Sequence, residues 1–465
     1  MEFLFIELQK NEQPLYEQIY EQIRNKITDN ELKPGDKLPS KRKLASFLEV
    51  SQTTIELAYA QLHAEGYIRS EARRGFFVEQ IDELTPVSAP ITIAPSLEQE
   101  RPSYDYDFSP GTIDTSEFPF ATWRKYAKEI IDASYQDLLQ LGHPQGDVEL
   151  RSEIAQYIAH SRGVHCTPEQ IIIGSGTEQL MALLLRMLGN QSLFAIENPG
   201  YLQMHPVFEH HHHPVVPIDV DQDGMIVEQL IQSEATAAFV TPSHQFPTGA
   251  VLSASRKATL LNWAYARKER FIVEDDYDSE FRYSGRPIPA LKSLDQHGKV
   301  IYMSTFSKAF MPSLRMAYMV LPPALYETFK YDVIQYAATV PRFDQQIVAR
   351  FMKNGHFARH LNRMRTVYKR KMQTVIDTLS TLSPKLTFFG EHAGMHVMIQ
   401  VEDDRTEEHL LSLAHKQNIR LIGISQYYVQ RTEQRPTFLL GFGGIPNDQI
   451  ENAIHTLWRS WDLSL

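Results

Sequence analysis

Four times between residues 171 and 308 a short apolar run ends in a polar cluster. Ile171-Ile172-Ile173 gives way to Gly174-Ser175-Gly176-Thr177-Glu178-Gln179. A second run leads into Glu197-Asn198-Pro199-Gly200-Tyr201. Phe271-Ile272-Val273 leads into Glu274-Asp275-Asp276-Tyr277-Asp278, and Ile301-Tyr302-Met303 into Ser304-Thr305-Phe306-Ser307-Lys308. Strands alternating with helical stretches from about 165 to 320 predict the mostly parallel sheet of an α/β domain.

The last of these runs carries the chemistry. Lys308 sits between Ser307 and Ala309, with Arg315 seven positions on. A lysine whose pKa burial has lowered can form a Schiff base with a carbonyl. The hydroxyls of Thr305 and Ser307 and the guanidinium of Arg315 can hold a phosphate beside it. A carbonyl with a phosphate is what pyridoxal 5'-phosphate (PLP) presents. The plainer alternative is a buried strand, a polar turn and a surface lysine. The upstream runs tip the balance. PLP chemistry needs a carboxylate on the pyridine nitrogen, for which Asp275 is the first choice, with Asp276 the alternative and Tyr277 donating to the ring hydroxyl oxygen. Residues 171–179 read as strand, glycine turn and helix start, which offers backbone N–H groups to a phosphate. Tyr201 provides an aromatic ring that can stack on the pyridine.

Residues from about 105 to 465 resemble a PLP-dependent transferase domain of fold type I, with a mostly parallel large subdomain and an α+β small subdomain. The resemblance implies that Lys308 is the Schiff-base lysine and Arg315 the phosphate arginine. It further implies Ser175, Gly176 and Thr177 as the phosphate loop, Tyr201 as the stacking ring, Asp275 as the nitrogen partner and Tyr277 as the phenolate partner. Two departures stand out. Asp275-Asp276-Tyr277 replaces the usual Asp-x-x-Tyr, and Gln245-Phe246-Pro247-Thr248-Gly249 puts Phe246 where an asparagine contacts the cofactor in ordinary aminotransferases. The small subdomain is expected to start with one helix, Gln345 to Leu379, followed by strands near Val397 and Leu439.

The 465 residues exceed one ordinary domain and predict two or three. At 43% hydrophobic residues the chain can build a sizeable core. No apolar run approaches the ~20 residues of a membrane helix. The short acidic start, Met1-Glu2-Phe3-Leu4-Phe5-Ile6-Glu7, is unlike a signal peptide. A single cysteine, Cys166, leaves no intrachain disulfide framework and suits a reducing cytoplasm. The net charge of −11 gives no overall prompt towards nucleic acid.

Residues 1–78 nevertheless read as a DNA-binding unit. Leu15, Ile19, Ile23 and Ile27 make an amphipathic helix after Pro14. Ser40 caps a second short helix, and Ser51 a third whose buried face is Ile55, Ala58 and Leu62. Gly66 stops it, and 67–78 form a hairpin around Glu71-Ala72-Arg73-Arg74. This is the order of a winged helix-turn-helix. The 11 basic residues of this unit barely balance its 12 acidic ones, so placement decides. Lys41, Arg42 and Lys43 cluster at the second helix, and Arg69, Arg73 and Arg74 in the wing, where they can face phosphates. Ser51, Gln52, Thr53 and Thr54 can enter a major groove, with Gln52 able to read an adenine edge. The alternative is a small helical interaction module.

The segment resembles the GntR family, through Leu38-Pro39-Ser40-x-Arg42-x-Leu44-Ala45, Val50-Ser51 and Gly75-x-x-Val78, with Gln52 where the family usually has arginine. Residues 79–104 carry Pro86, Pro90, Pro95 and Pro102, a linker composition. Head, linker (79–104) and body (105–465) together resemble the MocR subfamily of bacterial regulators. That resemblance implies a PLP-dependent transcription regulator that senses an amine or amino-acid-like effector through an external aldimine in place of Lys308. It implies double-stranded operator DNA as partner and a homodimer whose heads lie across the partner body. The competing class is a working aminotransferase with an added DNA-binding domain. His143, in His143-Pro144-Gln145-Gly146, falls near the family's effector pocket. The positions where 4-aminobutyrate-binding members carry arginines are Gln203 and Gln426, so a less acidic amine, a peptide-like amine or PLP itself is the expected effector. Arg342, Arg431 and Arg435 are further arginines of the body. The contiguous His210-His211-His212-His213 reads as a loop rather than a metal site, because alternate side chains diverge.

Overall fold

A computed structural model describes residues 6–9, 13–80, 103–189, 192–283, 288–333, 337–382, 385–429 and 435–462. Nearly all of the 79–104 linker, and Arg431, lie outside the described residues. The chain divides into two compact units, Met1–Arg101 and Pro102–Leu465.

In the first unit, helices span Leu15–Thr28, Lys41–Phe47 and Gln52–Ala64, and strands Ile68–Glu71 and Gly75–Val78 pair antiparallel. Each boundary has a local cause. The Ser40 hydroxyl accepts the Lys43 N–H and the Ser51 hydroxyl the Thr54 N–H, satisfying first-turn donors. Gly66 follows the third helix in the left-handed region at φ 78°. Ile19, Ile23, Ile55, Ala58 and Leu62 are fully buried in one core with Leu44 and Val78. The every-fourth-residue pattern thus becomes a three-helix contact sealed by the wing.

The second unit is built on an eight-stranded sheet. Its order is Ile171–Gly174, Ala317–Val320, Val300–Thr305, Phe271–Asp276, Ala237–Val240, Phe194–Asn198, Val215–Asp221, Gly224–Met225. The five strands from Val300–Thr305 to Val215–Asp221 run parallel, and Ala317–Val320 pairs antiparallel with both of its neighbours. Helices cover the sheet, so the central strands are buried on both faces. A smaller four-stranded antiparallel sheet contains His396–Val401 and Thr437–Gly441. The helix expected over Gln345–Leu379 is two helices, Arg342–Lys353 and His356–Thr381. Gly355, at φ 71°, turns the chain between them, a conformation L side chains resist. The histidine run ends the helix His205–His210, and His213 is buried with Nδ1 3.0 Å from the Ser192 carbonyl. No group of three or more His, Cys, Asp or Glu that could hold a metal occurs among the described residues. Nor is any described helix long and apolar enough to cross a membrane.

Candidate functional site

The polar clusters that close four of these strands meet in one cavity of about 260 Å³. Lys308 enters it from the short helix Phe306–Ala309, whose first turn is held by the Ser307 N–H donating to Thr305 Oγ1 at 3.1 Å. Its Nζ donates to the Pro110 carbonyl at 2.5 Å. Burial pulls the ammonium pKa down to about 8, against the opposing pull of Asp278. An amine at that value spends a substantial fraction of its time neutral near physiological pH.

The parallel register sets Met303 opposite Asp275 and Ser304 opposite Asp276. Side chains alternate along a strand, so Glu274 and Asp276 share one face and Asp275 takes the other. Glu274 accepts the N–H groups of Leu291 and Lys292 at 2.8 and 2.7 Å. Asp276 is spent on Arg162, at 2.7 and 3.1 Å, and on the Tyr302 hydroxyl. Asp275 alone of the three lines the cavity. It is buried, and its Oδ1 finds no hydrogen-bond partner among the described residues. Burial foremost, and then Asp276, Asp278, Glu178 and Glu197, push its pKa up to about 8.

Tyr277 lines the same wall, with its hydroxyl 3.1 Å from His244 Nδ1. That nitrogen is also 2.8 Å from Asp278 Oδ2. Opposite, Gly176 precedes the helix Thr177–Leu188 at φ 148°. A Cβ on Gly176 would come within 2.6 Å of an Arg315 terminal nitrogen and push that guanidinium aside, and the positive φ favours glycine besides. Thr305 Oγ1 and Ser307 Oγ are 2.9 Å apart on the cavity wall. The Tyr201 hydroxyl donates to Gln203 Oε1 at 2.8 Å, and its ring meets Phe246 edge-on at 5.9 Å.

Of the residues expected here, the cavity gathers Gly176, Thr177, Tyr201, Gln203, Asp275, Tyr277, Thr305, Ser307, Lys308 and Arg315. Three do not line it. The Ser175 N–H is turned to Gln179 Oε1 and Thr339 Oγ1, at 3.2 and 3.1 Å. His143 Nδ1 accepts the Gln145 N–H inside its own turn. Gln426 donates to the Gly423 carbonyl while its neighbour Tyr427 faces the cavity. Arg342 is engaged with Asp147 at 3.0 Å and Arg435 with Glu402 at 2.8 Å. Glu178, Asp278, His396 and Tyr427 also line the cavity, and sequence reasoning assigned them nothing. Glu178 and Asp278 lay inside the quoted motifs, so adjacency was their only signal; His396 and Tyr427 had none.

On the head, Ser51 and Thr54 spend their hydroxyls on each other at 2.8 Å, capping the helix. Gln52 and Thr53 are exposed beside them. Lys41 pairs with Glu56 at 3.4 Å and lies 5.5 Å over the Phe76 ring. Arg74 pairs with Glu71 and lies 5.5 Å over Phe77. Arg42 and Arg73 are exposed, and Arg73 projects from a left-handed turn position at φ 61°.

Residues 15–78 match the bacterial regulatory proteins of the gntR family, and residues 108–457 match aminotransferase class I and II. The chain is 39% identical to YdeL, an HTH-type transcriptional regulator of Bacillus subtilis, over 97% of each chain. It is 34% identical to the probable rhizopine catabolism regulatory protein MocR of Rhizobium meliloti, over 97% of this chain and 94% of that one. Its body is similar to the kynurenine aminotransferase of Pyrococcus horikoshii, whose crystal structure holds PMP. The TM-score is 0.68 at 25% identity, covering 77% of this chain and 91% of that one. A winged helix joined to such a body defines PLP-dependent, DNA-binding transcription regulators. The chain belongs to the MocR-type, GntR-headed family of that class.

Proposed function

We propose that the cavity around Lys308 holds the PLP cofactor and reports an amine to the DNA-binding head. The observation that carries this is a pair in one cavity: a half-buried lysine brought down to about 8, and a buried carboxyl with an unpartnered oxygen. The unpartnered Asp275 oxygen suits a protonated ring nitrogen, and the glycine-lined approach to Arg315 suits a phosphate. When bound, the cofactor supplies an aldehyde that Lys308 condenses with and that an incoming amine can take over. Gly176, Thr177, Thr305, Ser307 and Arg315 would hold its phosphate, Tyr201 would cover its ring, and Tyr277 would donate a hydrogen bond to its phenolic oxygen. His244, whose ring stacks on Tyr277 and whose Nδ1 is held by Asp278, fixes the position of the Tyr277 ring.

The effector is a less acidic amine than 4-aminobutyrate. Among the described residues lining the cavity, the cations are Lys308 and Arg315, both committed to the cofactor, while Gln203 carries no charge. Phe246, Tyr201 and Tyr427 supply an apolar aromatic surface. Release of Lys308 changes the charge and packing of the cavity, biases the body between two arrangements and so shifts DNA affinity by linkage. Transamination, where it occurs, is residual.

The head binds double-stranded operator DNA through Gln52 and Thr53 in the groove and Arg42, Arg73 and Lys41 on phosphates. A homodimer presents two heads to a repeated operator, and the body leaves Phe120, Ile131, Leu139 and Leu141 exposed for a partner copy. The protein acts in the cytoplasm. The test is an absorbance titration of purified protein with a panel of amines, followed by footprinting upstream of its own gene with and without the responding amine. A protein that stays colourless in PLP overturns the reading. So does a tight response specific to 4-aminobutyrate for the effector class, and steady-state transamination at ordinary enzyme rates for the regulator role.

A further inference from the structure

The phosphate end of the cavity contains an acid. Glu178 follows Thr177 in the first turn of its helix and lines the cavity. Its Oε2 is 3.5 Å from an Arg315 terminal nitrogen. A Cβ built on Gly176 would be 2.6 Å from that arginine and 2.9 Å from the same Glu178 oxygen. Arginine, carboxylate and glycine therefore meet at one point, and the carboxylate sits where an anionic ligand of Arg315 would go. The helix N-terminus favours that negative charge in the same way that it would favour a phosphate.

Two anions cannot share one guanidinium at this range without cost. The pair is also easy to break, since the side chains of Arg315 and Glu178 are 60% and 39% exposed and such pairs contribute little. The charge reaches further, because Glu178 is among the groups that hold Asp275 in its protonated form. An acid in an anion cradle opposes cofactor binding twice, at the phosphate and at the ring nitrogen's partner.

We propose that Glu178 is a built-in competitor for the phosphate cradle: it occupies Arg315 in the cofactor-free protein and must swing away when a phosphate-bearing ligand binds. The cofactor is thereby held reversibly, and the cofactor-free protein is a resident state of this regulator. The inference rests on the reading of this cavity as the cofactor site. It adds that occupancy responds to the supply of phosphorylated aldehyde as well as to amines.

The experiment compares cofactor-free wild-type protein with Glu178→Gln, using PLP and its phosphate-free analogue pyridoxal as probes. Dissociation constants are read from the imine absorbance, and thermal melts confirm that the variant folds. Glu178→Gln is expected to bind PLP about two- to fivefold more tightly, the scale of one exposed ion pair, and to gain less for pyridoxal, which meets only the effect at Asp275. Inorganic phosphate is expected to compete with PLP more effectively in the variant. Equal PLP affinity in the two proteins overturns the inference, and so does an equal gain for PLP and pyridoxal, which would place the effect at Asp275 alone. Wild-type protein that binds neither probe overturns instead the cofactor reading on which the inference stands.

Discussion

Arg162 Nε lies 2.7 Å from Asp276 Oδ2, and both side chains are almost fully buried. This pair consumes one of two adjacent aspartates and leaves Asp275 alone on the cavity face of the strand. The consequence is a division of labour. Asp276→Asn would strand a buried guanidinium and is expected to cost about 3–5 kcal/mol of stability, read from urea unfolding. Asp275→Asn is expected to leave the fold intact and to weaken cofactor binding. A reversed pattern would mean that Asp276 is the nitrogen partner.

The same aspartate predicts a pH dependence of stability. Asp275 is raised from 3.8 to about 8, so the native cofactor-free protein holds a proton there that the unfolded chain has released. Its contribution is full below pH 3.8 and is lost as pH rises through about 8. Between pH 5 and 9 the melting temperature of the cofactor-free wild type is expected to fall more steeply than that of Asp275→Asn. Parallel melting curves would remove the raised pKa from the account.

Lys308 titrates in the same range but in the opposite sense, because its folded pKa is depressed from 10.5 to about 8. Below that value the amine lacks its lone pair. The rate at which PLP combines with cofactor-free protein is therefore expected to rise with pH and level off above about 8. Lys308→Ala is expected to abolish the borohydride-fixable absorbance. Fixable cofactor in that variant would place the bond on another lysine.

Gly176 gives a steric test. Gly176→Ala places a Cβ at φ 148° and within 2.6 Å of Arg315, so the guanidinium must move. PLP affinity is expected to fall at least about tenfold while the circular dichroism spectrum is kept. Unchanged affinity would show that Arg315 does not bind the phosphate from this position.

On the head, Arg42→Ala and Arg73→Ala are each expected to lower the salt slope of DNA binding by about one unit. Arg74→Ala is expected to change it less, because Arg74 is already paired with Glu71. Gln52→Ala is expected to relax sequence preference more than affinity. Fluorescence anisotropy on the protein's own upstream DNA, across a salt series, separates these outcomes.

How much was legible beforehand follows from range. The head is made of local signals. Ser40 and Ser51 cap the helices they precede, and the four-residue apolar spacing fixes which faces meet. The strands of the body showed as apolar runs, and the polar residues at their ends showed the chemistry. The break at Gly355 went unread because the helical pattern continues on both sides of it, and only the left-handed turn ends the first helix.

By itself the sequence determined the two-unit plan, the winged helix and the set of motifs around Lys308, because capping, periodicity and strand-end chemistry act over a few residues. Only the tertiary structure decided which aspartate faces the cavity, that Ser175, His143 and Gln426 turn elsewhere, and that Glu178 reaches Arg315. Those outcomes depend on partners far apart in the chain: Arg162 claims Asp276 across 114 residues, and Thr339 claims the Ser175 amide across 164. A hydrogen bond closed over such a loop leaves no periodic trace in the chain, so only the folded packing reveals it.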